Sequence, residues 1–224
     1  LASATPSINL GEKLFARIAG QRKATFLAAY GCSMRYLLYF LLTFTVFGSD
    51  SLFNGTDLTG WKSDAKGDFA YWSAKDGVLH CQSGPKRKGS VLWTTKEFQD
   101  FTLTLEYKLG HGTIDSGVML KKNHDQIQIG ISGSLKRDLT ASPYIPGKGY
   151  PIEGKEAIAA VKPKEWNVLK IEVKGSTYKT WLNGVKAVTY DSKSAIEKGP
   201  LGLQLHGNRD MSISFRKIEI IEHK

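Results

Sequence analysis

Short segments in which apolar and polar residues alternate constrain the fold of this chain more than any other feature of its sequence. They begin near residue 69 and continue to the end of the chain, with the two-residue period of β-strands and turn residues between them. No helical period of useful length and no internal repeat interrupts them. The pattern predicts an antiparallel β-sandwich of about ten or more short strands.

The turns between these segments carry signals of their own. Lys75-Asp76-Gly77 and Asn183-Gly184 each separate two alternating segments, as tight β-hairpins do. Residues 132–160 are rich in proline and glycine and predict a long loop, and long loops are usually functional or disordered. The predicted strands are 71–73, 78–82, 90–94, 101–109, 117–121, 126–131, 166–174, 177–182, 185–190, 201–206 and 211–222.

An uncharged apolar run at residues 36–47 directly follows Met34 and Arg35. The run is shorter than the roughly 20 apolar residues that a membrane-spanning helix needs. A basic residue, a short apolar run and an exit of small residues are typical of a secretory signal peptide. We therefore expect a signal peptide over residues 34–48, with cleavage after Gly48.

The predicted signal peptide divides the chain into an upstream segment and a mature domain. Residues 1–33 are then upstream or mis-called sequence, and residues 49–224 form one mature domain in the periplasm or outside the cell. Because no cysteine follows the apolar run closely, a lipoprotein anchor is not indicated. The alternative is an uncleaved anchor that also uses residues 25–31.

The net charge and the cysteine content limit the partners and binding sites that the chain is expected to have. The formal net charge is +10, of which residues 1–48 contribute +4. The one basic cluster, Lys86-Arg87-Lys88, predicts a solvated loop, and no recognition motif supports a nucleic-acid partner. Cys81 is the single cysteine of the mature domain, and its apolar strand predicts a buried structural thiol. No zinc-binding spacing of histidine and cysteine is present.

Four predicted strands, 101–109, 126–131, 201–206 and 211–222, each have one apolar face and one face of hydrogen-bonding groups. Amides, an acid, an imidazole and a guanidinium suit a sugar, whose hydroxyls donate and accept. If these strands share one sheet, its outer face is a polar groove. The strand 166–174 has an ordinary charged face, which predicts that it belongs to the opposite sheet. The groove residues are Glu106, Gln126, Gln128, Gln204, His206 and Arg216.

The sequence resembles the 3-keto-disaccharide hydrolase domain family over about residues 51–222. The opening motif Leu-Phe-Asn-Gly-Thr-Asp-Leu-Thr-Gly-Trp stands at 52–61, and the final motif Phe-Arg-Lys-Ile stands at 215–218. The order and spacing of the motifs together carry the resemblance. The other matching segments are 75–79, 100–107, 115–118, 165–167, 181–184 and 199–206.

The resemblance implies a jelly-roll sandwich of the concanavalin or laminin-G type that is exported by glycan-degrading bacteria. It implies substrates already oxidised at carbon three of the sugar. A ketone there acidifies the hydrogen on carbon two, so that a base removes it, the aglycone leaves from carbon one, and water adds afterwards. This route differs from ordinary glycosidase chemistry, which uses two opposed carboxylates.

Three titratable residues are candidates for the chemistry. Glu106 is expected to act as a general base or to position a metal ion, and its alternative is a charge paired with Lys108, Lys121 or Arg216. His206 is the second catalytic candidate, because imidazole titrates near neutral pH, and its alternative is a hydrogen-bonded rim residue. Asp115 could orient His206 or bind a cation, or it could cap a turn.

Further residues are candidates for holding the substrate. Gln128 and Gln204 suit hydrogen bonds to sugar hydroxyls. Arg216 is expected to stabilise an enolate oxygen, with an ion pair to Glu106 as the alternative. Tyr144 and Tyr150 could form a stacking wall for the sugar ring, or they could simply pack.

Two functions remain open at this point. The first is an exported enzyme, of hydrolase or lyase type, that cleaves 3-keto-glycosides. The second is a non-catalytic carbohydrate-binding module, which is favoured because the strand at 126–130 has amides and glycine where many family members have acids. A divalent cation could lie at Glu106, Asp115 and His206, although no spacing motif requires one.

Overall fold

The computed structural model describes residues 48–64, 69–122 and 124–223 of the chain. The predicted upstream segment and all but the last residue of the predicted signal peptide lie outside the described residues. Within these ranges, no helix has the length and apolar character needed to cross a membrane.

Strands make up most of the described secondary structure, and one short helix lies in the predicted long loop. The elements are β1 (Asp50–Ser51), β2 (Trp61–Ser63), β3 (Trp72–Lys75), β4 (Val78–Gln82), β5 (Ser90–Phe98), β6 (Phe101–Gly112), β7 (Asp115–Met119), β8 (Gln126–Gly130), β9 (Pro143–Tyr144), α1 (Lys155–Ile158), β10 (Asn167–Lys174), β11 (Thr177–Leu182), β12 (Val185–Asp191), β13 (Gly199–Leu205) and β14 (Met211–Glu222).

These strands form two antiparallel sheets, which confirms the predicted all-β sandwich. The larger sheet has eight strands in the order β12-β11-β10-β6-β14-β4-β3, with β1 paired to β14. The smaller sheet has six strands in the order β2-β5-β13-β7-β8-β9.

The hydrophobic core is built from the apolar faces of the long strands. Leu103, Leu105 and Tyr107 of β6 are at most 2% exposed, and Ile127 and Ile129 of β8 are fully buried. Burying a side chain of this size stabilises the fold by about 1.5–3 kcal/mol. Because successive side chains of a strand point to opposite faces, the polar residues between these positions face away from the core.

Two smaller predictions are confirmed. Cys81 is fully buried, and burial raises the pKa of its thiol, so it is an inert structural residue. Asp76-Gly77 joins β3 to β4, and Asn183-Gly184 joins β11 to β12. All four residues have positive φ, as a tight hairpin turn of the primed type requires.

The prediction that the strand at 166–174 lies in the opposite sheet from the strand at 101–109 is wrong. β10 pairs directly with β6, with Leu169 opposite Leu105 and Ile171 opposite Leu103. Alternation shows which residues of one strand share a face, but it does not show which strands share a sheet. A charged outer face is therefore compatible with either sheet.

Asp125 lies just before β8 and anchors the turn that enters it. Its side chain is fully buried, and its carboxylate accepts hydrogen bonds from Tyr178 Oη at 2.8 Å, Ser192 Oγ at 2.6 Å and Ser194 Oγ at 2.7 Å. His124 in this turn has a positive φ, a backbone conformation that residues other than glycine rarely adopt. The buried carboxylate therefore holds a strained turn in place.

We expect Asp125→Ala to lower the free energy of unfolding by about 3 kcal/mol or more, since it removes a buried charged acceptor that takes part in three hydrogen bonds. Urea denaturation followed by fluorescence measures this change. Lys193→Ala, at an exposed neighbouring position, should stay within about 0.5 kcal/mol of the unmodified protein. Equal stability of the two variants would show that Asp125 is not an anchor.

Candidate functional site

A cavity of about 470 Å³ lies on the outer face of the smaller sheet. Its floor comes from β7, β8 and β13, and its walls come from the loop after β8 and from the turn between β13 and β14. The lining residues are Asp115, Met119, His124, Gln126, Gln128, Ser132, Gly133, Ser134, Tyr144, Tyr150, Gln204, His206 and Arg209.

Three glutamines form the floor of this cavity. Gln126 Nε2 donates to Gln128 Oε1 at 3.0 Å and to Gln204 Oε1 at 3.1 Å. The side chains reach each other because β7 has a glycine between them: a Cβ on Gly117 would lie 2.3 Å from Gln126 Nε2. The amides hold one another in fixed orientations. Gln126 and Gln128 are 5% and 1% exposed, whereas Gln204 is only partly buried, so Gln204 is the amide of this floor that a ligand can reach.

Gln128 connects this floor to an acid and a phenol. Its Nε2 donates to Asp115 Oδ1 at 3.0 Å, and its Oε1 accepts from Tyr150 Oη at 3.0 Å. Burial raises the pKa of Tyr150, so its phenol stays protonated and remains a donor at neutral pH. The ring of Tyr150 meets Tyr144 edge to face, with centroids 5.3 Å apart. The two tyrosines thus form one wall of the cavity.

Asp115, His206 and Arg209 form a charged cluster at one end of the cavity. Asp115 Oδ2 lies 3.5 Å from Arg209 Nε and 3.9 Å from His206 Nε2. The Asp115 side chain is 4% exposed. Neither Asp115 Oδ2 nor Arg209 Nε has a hydrogen-bond partner among the described residues. Both atoms are buried, so their opposite charges compensate each other at 3.5 Å without a regular hydrogen bond.

The imidazole of His206 has a defined orientation. Its Nδ1 lies 2.7 Å from the carbonyl oxygen of Gly207, an acceptor, so Nδ1 carries the hydrogen and donates it. In the neutral ring, Nε2 is then unprotonated and faces Asp115. The side chain is 44% exposed, which leaves Nε2 accessible to a ligand in the cavity. This is the arrangement that a general base requires.

Glu106 and Arg216 do not belong to this cluster, and the prediction that they share a surface with His206 is wrong. They lie opposite each other on β6 and β14 of the larger sheet, whereas the cavity lies on the smaller one. Arg216 Nε lies 2.5 Å from Glu106 Oε2, and Lys217 Nζ lies 2.7 Å from Glu106 Oε1. The alternative given above, an ion pair of Glu106 with Arg216, is the arrangement found.

The surroundings of Glu106 also make it a poor base. Burial alone would raise its pKa, but the hydrogen bonds from Lys217 and Arg216 outweigh burial and hold its pKa below the ordinary value. The guanidinium of Arg216 lies over the ring of Trp166, 4.1 Å from its centroid, which fixes the pair further.

The residues suggested for a divalent cation do not come together, because Glu106 lies on the other sheet from Asp115 and His206. In the part of the chain that the structure describes, no group of three histidine, cysteine or acidic side chains could hold a metal ion.

Sequence reasoning missed Arg209 and Gly133. Arg209 follows His206 in a turn after the end of β13, and a polar turn next to a groove strand is the signal that could have indicated it. A Cβ on Gly133 would lie 2.2 Å from Arg209 Nη2 and 2.8 Å from Asp115 Oδ2. Glycine therefore lets the loop after β8 close over the charged cluster.

We expect Gly133→Ala to weaken ligand binding about tenfold and to lower the free energy of unfolding by about 1–3 kcal/mol. The reason is that the added methyl group meets Arg209 Nη2 and the buried Asp115 Oδ2, so the two charged side chains must shift. Calorimetric titration with a glycan ligand and a thermal melt of the same sample check both parts. Unchanged affinity would contradict close packing of Gly133 on Arg209.

The sequence and the fold of this chain are similar to those of known proteins. The family model of the 3-keto-alpha-glucoside-1,2-lyase-like domain matches residues 48–221. Two candidate glycosyl hydrolases from Parabacteroides distasonis are similar in structure. The first has a TM-score of 0.59 and 21% sequence identity, and the match covers 79% of this chain and 95% of that protein. The second has a TM-score of 0.55 and 26% sequence identity, and the match covers 78% of this chain and 84% of that protein.

A carbohydrate-binding module from Bacillus subtilis is also similar, with a TM-score of 0.50 and 17% identity, over 75% of this chain and 98% of the module. At this level of identity the likeness shows the fold alone. No curated protein matches this chain.

Proposed function

Because this chain belongs to the family of 3-keto-alpha-glucoside-1,2-lyase-like domains, as the sequence resemblance indicated, we propose that it cleaves glycosides oxidised at carbon three of the sugar. The family and the structural neighbours indicate a carbohydrate-related function. The step from a carbohydrate ligand to an oxidised glycoside is supported by the chemistry of the charged cluster.

The observation that carries this proposal is the orientation of His206. Its Nδ1 is engaged by the carbonyl of Gly207, so Nε2 is the basic nitrogen, and it faces the cavity next to Asp115. The cavity has one imidazole base and one carboxylate in this cluster rather than two opposed carboxylates. Removal of an acidified proton fits this set better than ordinary glycoside hydrolysis does.

In the proposed reaction, the substrate ketone makes the hydrogen on carbon two acidic. Nε2 of His206 takes this proton, and the electron pair of the broken C–H bond delocalises onto the ketone oxygen as an enolate. Arg209 stabilises the enolate charge, and Asp115 stabilises the imidazolium. Collapse of the enolate restores the ketone, forms the double bond between carbons one and two, and breaks the bond from carbon one to the aglycone oxygen, which takes up a proton. Water then adds across the new double bond.

The remaining lining residues hold the sugar in this scheme. Gln204, oriented by Gln126, binds a ring hydroxyl through its amide group, and the wall of Tyr144 and Tyr150 contacts an apolar face of the ring. Arg209 takes the role that the sequence suggested for Arg216.

The test is to incubate the purified protein with a 3-keto-glucoside in deuterated water and to follow both aglycone and sugar by NMR. We expect aglycone release, and deuterium at carbon two of the product sugar. Release without deuterium at carbon two would indicate direct hydrolysis. No release from either anomer would remove the proposal.

A non-catalytic carbohydrate-binding function is the second candidate. The likeness to a carbohydrate-binding module and the amide-rich floor favour it. Calorimetry would select it if glycans that are not oxidised bind and neither they nor their 3-keto forms are turned over.

A further inference from the structure

The turn that carries His206 and Arg209 into the cavity is held from its other side. We propose that Asp210 is a positioning residue, which fixes Arg209 in the cavity by tying the turn to His111 and Arg87. The proposal rests on the proposed function for its kinetic readout. It also assigns a role to the basic loop at Lys86-Arg87-Lys88, whose residues do not line the cavity.

The side chain of Asp210 has two cationic or donor partners. Its Oδ1 lies 3.1 Å from His111 Nε2, and its Oδ2 lies 3.7 Å from Arg87 Nη2. Ser212 Oγ accepts the backbone N–H of His111 at 3.1 Å and lies 2.9 Å from His111 Nδ1. The serine hydroxyl can therefore donate to Nδ1, which leaves Nε2 with its hydrogen for Asp210. Every polar atom of the neutral ring is then paired.

The backbone of the same turn is held by close packing. Asn208 N donates to the carbonyl oxygen of Arg87 at 2.7 Å. A Cβ on Gly89 would lie 2.9 Å from Gly207 N, and a Cβ on Gly112, which has positive φ, would lie 1.8 Å from the carbonyl oxygen of Asp210. The turn is thus enclosed between the basic loop on one side and the end of β6 on the other.

Arg209 depends on this support because little else holds it. Its Nε has no hydrogen-bond partner among the described residues, and its contact with Asp115 is a 3.5 Å ion pair. The carboxylate of Asp210 is largely exposed, so its ion pairs contribute little to global stability. A displacement of about 1 Å at a catalytic group can nevertheless cost about 100-fold in rate. Loss of Asp210 should therefore affect activity more than folding.

A double-mutant cycle tests this proposal. We expect Asp210→Ala to lower kcat about tenfold with little change in the melting temperature. In an Arg209→Ala background the same change should have no further effect, because Asp210 acts through Arg209. Asp210→Asn keeps an oxygen acceptor for His111 Nε2 and should recover most of the activity. Glu156→Ala, which removes an exposed carboxylate elsewhere, is the control.

The same proteins give a readout that does not need turnover. We expect the Nε–H resonance of Arg209 to broaden and to exchange faster with water in Asp210→Ala, and to be unchanged in Glu156→Ala. An unchanged resonance, or an equal loss of kcat in both backgrounds, overturns the positioning role. Absence of turnover in the unmodified protein would remove the proposed function, and the resonance would still decide whether Asp210 positions Arg209.

Discussion

Replacing His206 by glutamine should lower kcat for 3-keto-glycoside cleavage by about 100- to 10,000-fold, the range that loss of a general base produces. Glutamine is polar and close to histidine in size, so the variant removes the basic nitrogen with little change in packing. The amide cannot act as a base, and among the described lining residues no second imidazole lies within 4.0 Å of the Asp115 carboxylate. Initial rates on an aryl 3-keto-glucoside, read from the released phenol, measure the effect.

Glu106→Gln is the matched control for this experiment. It exchanges an acid for an amide on the other sheet, so kcat should stay within about twofold, the ordinary scatter of a change outside the site. If Glu106→Gln abolished activity and His206→Gln did not, the assignment of the base would be wrong. The two variants therefore separate a site on the smaller sheet from the surface that the sequence alone suggested.

The Glu106 control should still show a change in stability. The pKa of Glu106 is lower in the folded protein than in the unfolded chain because Lys217 and Arg216 donate to it. Its stabilising contribution is therefore present above its ordinary pKa and disappears as the pH falls through the folded-state pKa. We expect Glu106→Gln to lower the free energy of unfolding by about 1 kcal/mol at neutral pH, and we expect this difference to vanish in acid.

Much of the fold could be predicted from the sequence because local patterns determine single strands. β4, β11 and β14 have the predicted bounds, since apolar alternation and flanking turn residues coincide there. The polar faces of β8 and β13 were also predicted, because Ile127, Ile129 and Leu203 leave the glutamines no other side.

The assembly of the site could not be predicted, because it depends on pairing between distant strands. Glu106 and His206 occupy equivalent positions in their own alternating patterns, but β6 pairs with β14 while β13 pairs with β7. The first pairing places Glu106 directly opposite Arg216 on one outer surface. The second places the strand of His206 beside the strand of Asp115. Nothing local to either strand distinguishes these outcomes.

The pairing of β7 with β8 also explains why the site contains a carboxylate although β8 has no acidic residue. Asp115 of β7 lies opposite Gly130 of β8. Gly130 has positive φ, and a Cβ there would lie 2.4 Å from the carbonyl oxygen of Ile114, so only glycine fits. Gln128 then holds Asp115 Oδ1 and leaves Oδ2 next to Arg209 and His206. The carboxylate therefore comes from β7.

Asp115→Asn should be the second variant with a large effect. The amide can still accept a hydrogen bond from Gln128, but it leaves Arg209, whose side chain is 24% exposed, without its counter-charge. Breaking a buried pair by removing one partner costs about 3–5 kcal/mol, and partial exposure places this site at about 3 kcal/mol or below. We expect kcat to fall about 100-fold, since the imidazolium also loses the charge that stabilises it. Urea denaturation and initial rates measure the two effects.

The double variant Asp115→Asn with Arg209→Gln separates these effects. Removing both charges leaves no uncompensated ion, so most of the lost stability should return. Activity should not return, because the proposed reaction needs the carboxylate beside His206 and the guanidinium beside the enolate. A stable double variant with full activity would show that the pair only maintains the structure of the cavity. A stable and inactive one would assign to Asp115 and Arg209 a chemical role that is independent of folding.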